Sequence, residues 1–232
     1  MHTTARLTHS ELADHVAASP LSLTPSPTVQ EAAAVIAEDL LTHRRPQPLL
    51  AWEAGRFPET ALARRTNSRE FIEQLGVDKL VAAVEEALLS VRALTIRQPW
   101  AGAITHLGKH CENRSTRIHY RGLLLVHAAK LTAGPTLVRQ VRRMDPELPL
   151  PLQAVIGTAR VAGCHRARYT EQGDVCCRPW GEPGTADSLV WHWELSNVRR
   201  LPSPVHWSGK QSLWRPTAEL LDAVISSEEA TR

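Results

Sequence analysis

Three side chains that could bind or react with a polar ligand lie within six residues of one another. Lys109, Glu112 and Arg114 place a carboxylate between two cations. Such a carboxylate can accept a proton or a hydrogen bond from an amino group, and the cations can hold an anion. The spacing therefore predicts a site for a polar, negatively charged ligand.

A second polar group precedes this cluster by one short helix. Gln98 and Trp100 flank Pro99, which suits the first turn of a helix, and Gly108 suits the end of that helix. A helix of this length spans about 13 Å and would fold the Gln98 corner back toward Lys109. Because an indole stacks on a nucleobase and a glutamine amide can read a base edge, the corner favours a nucleotide ligand.

Further residues could complete a cleft for a single-stranded or flipped-out nucleotide. Arg121 supplies charge for a phosphate, as does Lys210 in a Ser-Gly-Lys loop, and Trp214 would form a wall. His127 ends a strand-like run and is an alternative acid or base, although a histidine in such a place is more often structural.

A structural interpretation of the same residues stands beside the functional one. Trp100 could be a core residue, and the charged residues 109–114 could form a surface ion-pair network that contributes little to stability. The residue types and their spacing leave both interpretations open.

Charge is distributed unevenly along the 232 residues. Residues 1–90 hold eight Lys/Arg and twelve Asp/Glu, a net −4, whereas residues 91–232 hold nineteen and twelve, a net +7. Six of the seven tryptophans also lie in the second part, so this part is expected to meet polyanions such as RNA. Without an apolar run of about 20 residues or an apolar N-terminal signal, we expect a cytoplasmic protein with no membrane partner.

Four cysteines are too few for a disulfide framework in a chain of this length. Cys164 and His165, followed by Cys176 and Cys177, offer soft ligands of the kind that zinc accepts. The usual C-x-x-C spacing is absent, however. We therefore expect free thiols, with neither a metal ion nor another cofactor.

The chain divides into four expected segments. Residues 1–28 include a Pro/Ser-rich stretch and form a flexible segment. Residues 29–91 form a helical extension, with helices from 29 to about 45, near 59–65, from a cap at 67 or 68 to 75, and from 77 to 91. Residues 92–217 carry short strands and two helices, and residues 218–232 form a C-terminal helix and tail. This order predicts an α+β fold with a small β-barrel rather than a doubly wound sheet.

Alternation along one strand assigns its two faces. Trp191 and Trp193 alternate with His192 and Glu194, so both indoles face one side, where we expect them to pack in the core.

Several runs carry a family resemblance, in the order ALTIRQPWAGAI, GKHCENRS, YRGLLLVHAAK, AVIGTARVAGC and SGKQSLWRP. Over residues 92–217 the chain resembles an ASCH domain of the PUA-like superfamily. The resemblance implies a small PUA-like β-barrel with short helices and a cleft for RNA, another nucleic acid or a modified nucleotide. Residues 1–90 lie outside it and could instead bind a protein partner.

The resemblance also implies two enzymatic alternatives, because some members are ribonucleases and others are amidohydrolases on acetylated cytidine. The amidohydrolases pair a lysine after the helix with a threonine three residues later. Lys109 matches the lysine, but Glu112 occupies the threonine position, which argues against that chemistry. A metal-independent ribonuclease remains as an alternative, with Glu112 as base on a ribose 2′-hydroxyl and Lys109 stabilising the phosphorane.

Overall fold

The computed structural model describes residues 77–169, 171, 173–185 and 188–227, together with the isolated helical positions 30, 33, 34, 37 and 41. The expectations for residues 1–28, for a helix near 59–65 and for a helix from 67 or 68 to 75 lie outside these residues. Within the helix expected from residue 29, Ala33, Ala37 and Leu41 are buried at a spacing of four. None of the helices in the described ranges is long and apolar enough to cross a bilayer.

The described residues fall into two compact units. The elements, in chain order, are α1 (Val77–Ser90), β1 (Arg92–Gln98), α2 (Trp100–His106), β2 (Cys111–Arg114), β3 (Gly122–Thr132), α3 (Pro135–Arg142), β4 (Ala154–Arg166), β5 (Trp191–His206), β6 (Leu213–Trp214) and α4 (Ala218–Ser226). One unit comprises residues 91–216 and contains every strand, and the other includes α1 and α4.

The strands form one six-stranded mixed sheet in the order β2-β5-β4-β3-β1-β6. β1 runs parallel to β3, and the other neighbouring pairs are antiparallel. The sheet curls into a half-barrel with short helices, so the predicted α+β, barrel-like fold class is confirmed.

The core lies on the inner face of this curled sheet. Its members are apolar residues of β1, α2, β3, β4 and β5, and they are buried almost completely: Leu94, Ile96, Ala101, Ile104, Leu124, Val126, Ala128, Ala154, Ile156, Ala159, Val161, Trp193 and Leu195. Trp191 packs against the edge of the same cluster. The predicted core face of β5 is therefore confirmed.

The helix predicted between the two polar groups is present as α2, bounded by the residues that the sequence indicated. Pro99 precedes its first residue, and Gly108 has φ +68 just after its end. The Lys109 backbone N–H donates to the Ala103 carbonyl at 3.1 Å, which closes the last turn over a left-handed glycine. The chain thus reverses at Gly108 and enters β2.

α2 lies close to β4 because residue 157 has no side chain. A Cβ at Gly157 would overlap the Arg199 carbonyl oxygen and would stand 2.6 Å from Cγ2 of Thr105 in α2. Glycine at this position lets both α2 and the β5 backbone lie close to β4.

We expect Gly157→Ala to lower the free energy of unfolding by about 2 kcal/mol, because the added methyl group must displace backbone on β5. Urea unfolding followed by circular dichroism measures this. Ala162→Val adds volume at an exposed position of the same strand, and we expect it to change stability by less than about 0.5 kcal/mol. Equal effects of the two substitutions would show that close packing at Gly157 is not the cause.

Candidate functional site

Gln98 is fully buried at the end of β1. Its side-chain oxygen accepts a hydrogen bond from the Gly102 backbone N–H at 2.8 Å, and its amide nitrogen donates to the Pro151 carbonyl at 2.9 Å. The first bond satisfies one of the free N–H groups in the first turn of α2. Gln98 therefore fixes the position of α2 and ties it to the segment before β4.

Lys109 is the first polar residue after the reversal at Gly108, and only 2% of its surface is exposed. Its ammonium donates to the Cys111 carbonyl and lies 3.6 Å from Oε2 of Glu112. A buried ammonium needs such partners, because its charge has lost most of its water.

Glu112 and Arg114 lie on the face of β2 that points toward the core, since Glu112 is paired in register with Trp193 and Arg114 with Trp191. Oε1 of Glu112 is 3.1 Å from Nε of Arg114, close enough for an ion pair although the angle is poor for a hydrogen bond. The Arg114 guanidinium also lies over the Trp193 ring, 5.7 Å from its centroid.

Thr95 joins this cluster to the opposite end of the curled sheet. The Arg114 guanidinium donates to the Thr95 carbonyl at 3.0 Å, although β2 and β1 are not neighbours in the sheet. The Thr95 hydroxyl donates to the Lys210 carbonyl at 2.6 Å and accepts from the Trp214 indole N–H at 3.1 Å. Thr95 was not singled out in the sequence, and only the curl of the sheet gives it this role.

His127 lies beside Trp214 and is also buried. Its ring meets the indole edge-on at 5.9 Å, and its Nε2 is 2.9 Å from the Trp207 carbonyl. Nδ1 of His127 is buried without a hydrogen-bond partner. Burial lowers the pKa of His127, and the Trp207 carbonyl opposes this only in part. The ring is thus held neutral, with Nε2 carrying the proton.

Besides Gln98, which positions α2, the predicted site residues fall into two groups. A chain of contacts through Thr95 connects six of them, namely Lys109, Glu112, Arg114, His127, Lys210 and Trp214. Trp100 is half-buried and packs against the core, and Arg121 is exposed and donates to the carbonyls of Ile118 and Tyr120.

An open depression of about 820 Å³ lies next to this group. It is lined by Lys130, Leu152, Gln153, His206, Trp207 and Ser208. One lining residue, Trp207, is hydrogen-bonded through its carbonyl to the buried His127.

The cluster at positions 109, 112 and 114 can interact both with a charged group and with a hydrogen-bond donor of one ligand. The three charges at positions 109, 112 and 114 sum to a net positive cluster, so it favours an anion. The Glu112 side chain is 9% exposed and has acceptor capacity left for a donor group of a ligand. Exposed Lys210 lies across Thr95 from the cluster and offers a second positive charge.

A second group of reactive side chains lies on the other face of the sheet. Asn113, His192 and Glu194 alternate with the residues above, so their side chains point away from the core. His165, Cys176, Cys177 and His192 are close enough there to share a metal ion.

Known proteins were compared with the chain in three ways. No protein-family model matches it, and no curated protein is similar to it. Among solved structures it is similar to the ASCH protein of Zymomonas mobilis, with a TM-score of 0.36 and 16% identity over 58% of this chain and 94% of that one. Two single-residue variants of that protein match with TM-scores of 0.34 and 0.33, each at 17% identity over 56% of this chain and 93% and 92% of theirs. These structures carry the family name that the sequence motifs indicated.

The first prediction from this site concerns Gln98. Gln98→Met keeps the length of the side chain but leaves the Gly102 N–H and the Pro151 carbonyl without partners. We expect it to lower the free energy of unfolding by about 2–4 kcal/mol, measured by urea unfolding. Gln140→Met, on an exposed face of α3, is the matched control and should have almost no effect. Equal stability of the two variants would refute the positioning role of Gln98.

The second prediction concerns His127 and pH. The unfolded chain takes up a proton on this ring near pH 6.5, whereas the folded chain does so only at lower pH. The stability from neutral His127 is therefore fully present above about pH 6.5 and is lost as pH falls below it. We expect His127→Gln to lose less stability than the parent between about pH 7 and pH 5, measured by thermal unfolding. His119→Gln, at an exposed position, should keep the parental pH dependence.

Proposed function

We propose that residues 91–216 bind single-stranded nucleic acid, with one nucleotide at the cluster formed by Lys109, Glu112 and Arg114. The observation that carries the proposal is the chain of contacts from this cluster through Thr95 to Lys210 and Trp214. It links a buried carboxylate and two cations on the core face of the sheet, through the backbone of Thr95, to an indole and an exposed lysine on the other face of β1.

Each type of group has a partner on a nucleotide. The cations at Arg114 and Lys210 suit phosphate oxygens, and their number sets the salt dependence of binding. The Glu112 carboxylate suits an exocyclic amino group, as found on cytosine, adenine or guanine. The depression next to His127 is open enough to hold the neighbouring nucleotide, and Lys130 at its edge suits the following phosphate.

A single-stranded ligand fits this arrangement better than a duplex does. Glu112 is only 7% exposed, so a base must leave any stack to reach it. A duplex presents its base edges only in its grooves, and no projecting helix of the described residues carries the cluster. The ASCH resemblance implies a cleft for RNA, another nucleic acid or a modified nucleotide, so RNA and DNA are compared in the test below.

A binding measurement with charge-neutral variants tests the proposal. Lys210→Met removes an exposed cation and should leave the fold unchanged. We expect the slope of log affinity against log salt for a short single-stranded RNA to fall by about one unit. Fluorescence anisotropy across a salt series measures this slope, with single-stranded DNA and duplex RNA as competitors.

Arg142→Met is the matched control, because Arg142 is an exposed cation on α3, away from the connected residues. It should leave the slope close to that of the parent. The proposal is wrong if Lys210→Met and Arg142→Met change the slope equally, or if the parent protein does not bind RNA at low salt.

Cleavage of the bound RNA is a second candidate function, favoured by the ion pair between Lys109 and Glu112. Glu112 would take the proton of a 2′-hydroxyl, whose oxygen attacks the adjacent phosphorus. The bond to the 5′-oxygen breaks, and Lys109 returns a proton to that oxygen, leaving a 2′,3′-cyclic phosphate. The Glu112 carboxylate and the Lys109 ammonium, 3.6 Å apart, have the charges that this reaction requires.

Mass spectrometry of the RNA after incubation separates binding from cleavage. If the site is catalytic, Glu112→Gln should abolish the cyclic phosphate product while RNA still binds, because the amide keeps the size but cannot act as a base. An intact RNA with the parent protein would leave binding as the function. Acetylated cytidine in the same assay tests the amidohydrolase alternative, whose product would be cytidine and acetate.

A further inference from the structure

Four potential metal ligands converge on the face of the sheet opposite the proposed nucleotide site. His165 of β4 and His192 of β5 are paired in register, and their rings meet at 5.3 Å between centroids. Cys176 and Cys177 come from the connection between these two strands. One nitrogen or sulfur atom from each of the four residues lies within 4.8 Å of all the others.

The distances between these atoms match the edges of a small tetrahedron. Sγ of Cys176 is 3.4 Å from Nε2 of His165 and 3.3 Å from Nδ1 of His192, and Sγ of Cys177 is 3.5 Å from Nε2 of His165. In a tetrahedral zinc site, bond lengths of about 2.3 Å to sulfur and 2.0–2.1 Å to nitrogen place sulfur and nitrogen about 3.6 Å apart. These three distances fit one zinc ion with almost no movement, and the other three are at most 4.8 Å.

Hydrogen bonds alone do not account for this convergence. Both sulfurs approach Nε2 of His165, and the Cys176 sulfur also approaches His192. Each neutral imidazole has one lone pair and each thiol has one proton, so three contacts share two donors and two acceptors. A single cation accepts all four lone pairs at once.

Both histidines are oriented by a second hydrogen bond on the far side of the ring. Nδ1 of His165 lies 2.5 Å from the Glu194 carboxylate, and Nε2 of His192 lies 2.9 Å from the Glu182 carbonyl. Each acceptor holds the proton on the outer nitrogen, so the inner nitrogen presents its lone pair to the cluster. Metal-binding histidines typically have such partners, a carboxylate or a backbone carbonyl.

Two glycines make room for this arrangement. A Cβ at Gly163 would overlap the Glu194 carboxylate, which lies directly over that residue. A Cβ at Gly181 would overlap the Cys176 carbonyl and stand 2.8 Å from Cε1 of His192. The sequence thus leaves free the space that the ligands and the carboxylate occupy.

The backbone of the connection directs both sulfurs to the same point. Cys177 has φ +63, an uncommon conformation for a residue with a side chain, which allows two adjacent cysteines to face one centre. The Arg168 backbone N–H donates to Sγ of Cys176 at 3.3 Å and holds that sulfur in place. Asn113 of β2 holds the same segment by donating to the Trp180 carbonyl and accepting from the Glu182 N–H.

We propose that His165, Cys176, Cys177 and His192 bind one Zn²⁺ ion that fixes the connection between β4 and β5 to the outer face of the sheet. Four protein ligands leave no open position for a substrate, so the ion has a structural role. The connection, residues 167–190, is long and carries little regular structure, and a metal ion is one way to hold such a segment in place.

The ligand set differs from the grouping visible in the sequence. Cys164 was the fourth soft ligand beside His165, but it alternates to the core face and pairs with Trp193. His192, fifteen residues after Cys177, takes its place through the register of β4 and β5. The proposal therefore departs from the free thiols and the absence of metal that the sequence spacing favoured.

The parent protein, purified in full length without chelator, gives the direct test. We expect about one zinc ion per chain by inductively coupled plasma mass spectrometry, stoichiometric as four-coordinate structural sites are. Replacement by Co²⁺ should produce the intense visible bands of a tetrahedral cobalt site with thiolate ligands. Less than one tenth of an ion per chain, together with no such bands after Co²⁺ addition to reduced protein, would overturn the proposal.

Matched serine variants identify the ligands. Cys176→Ser and Cys177→Ser should each remove the bound zinc or reduce its affinity sharply. Cys164→Ser changes a nearby sulfur that lies on the core face, and this variant should keep its zinc. Glu194→Gln retains all four ligands and should weaken zinc binding about 10- to 100-fold in competition with a chromophoric chelator. Equal zinc content in Cys164→Ser and Cys176→Ser would refute this ligand set.

Limited proteolysis tests the structural role without any substitution. Arg168 is exposed at the start of the connection and is a site for trypsin. Removal of zinc should accelerate cleavage after Arg168, and re-addition of Zn²⁺, but not Mg²⁺, should restore protection, with fragments identified by mass spectrometry. Cleavage after Arg168 at the same rate with and without zinc would show that the ion does not hold the connection.

Discussion

The alternation of side chains along β5 is the constraint on which both polar sites depend. This strand pairs with β2 on one side and with β4 on the other, so its register fixes which residues of three strands share a face. Trp191 and Trp193 point to the core, where the charged residues of β2 lie beside them. His192 and Glu194 must then point outward. A slip of one residue would exchange the two faces and bury the imidazole and carboxylate among apolar side chains.

The curl of the sheet determines what the inner face can do. In a flat sheet of this order, β1 and β2 would be separated by three strands, and Arg114 could not reach Thr95. The hydrogen bond between them shows that the ends of the sheet come close together on the inner face. Arg114 of β2 is therefore held from both ends of the sheet, by the Thr95 carbonyl of β1 and by the Trp193 ring beneath its guanidinium. Binding specificity in such a site depends on the curvature as much as on the residues.

The sequence was most informative where local chemistry decides the structure. Proline before α2 and glycine after it predicted the bounds of that helix and the chain reversal at Gly108, and alternation predicted the core face of β5. The sequence was less informative where packing between residues distant in the chain determines the surroundings of a side chain. Gln98 has the residue type of a base reader, but its burial and two backbone bonds follow from the packing of α2. Of the four potential metal ligands, His165, Cys176 and Cys177 were grouped in the sequence, but His192 joins them only through the register of β4 and β5.

The two strands at the edges of the sheet, β2 and β6, are its shortest strands. β2 has four residues and β6 has two, whereas the interior strands β3, β4 and β5 have 11, 13 and 16. A sheet recruits further chains through the unpaired N–H and C=O groups of its outermost strands, and two- or four-residue edges offer few of them. Of the long strands, β3 and β4 have neighbours on both sides over most of their length, whereas β5 is paired with β2 only at residues 191–194. The strand order thus protects β3 and β4 from edge-to-edge pairing, and it leaves residues 195–206 of β5 as the longest stretch of the sheet with a neighbouring strand on one side only.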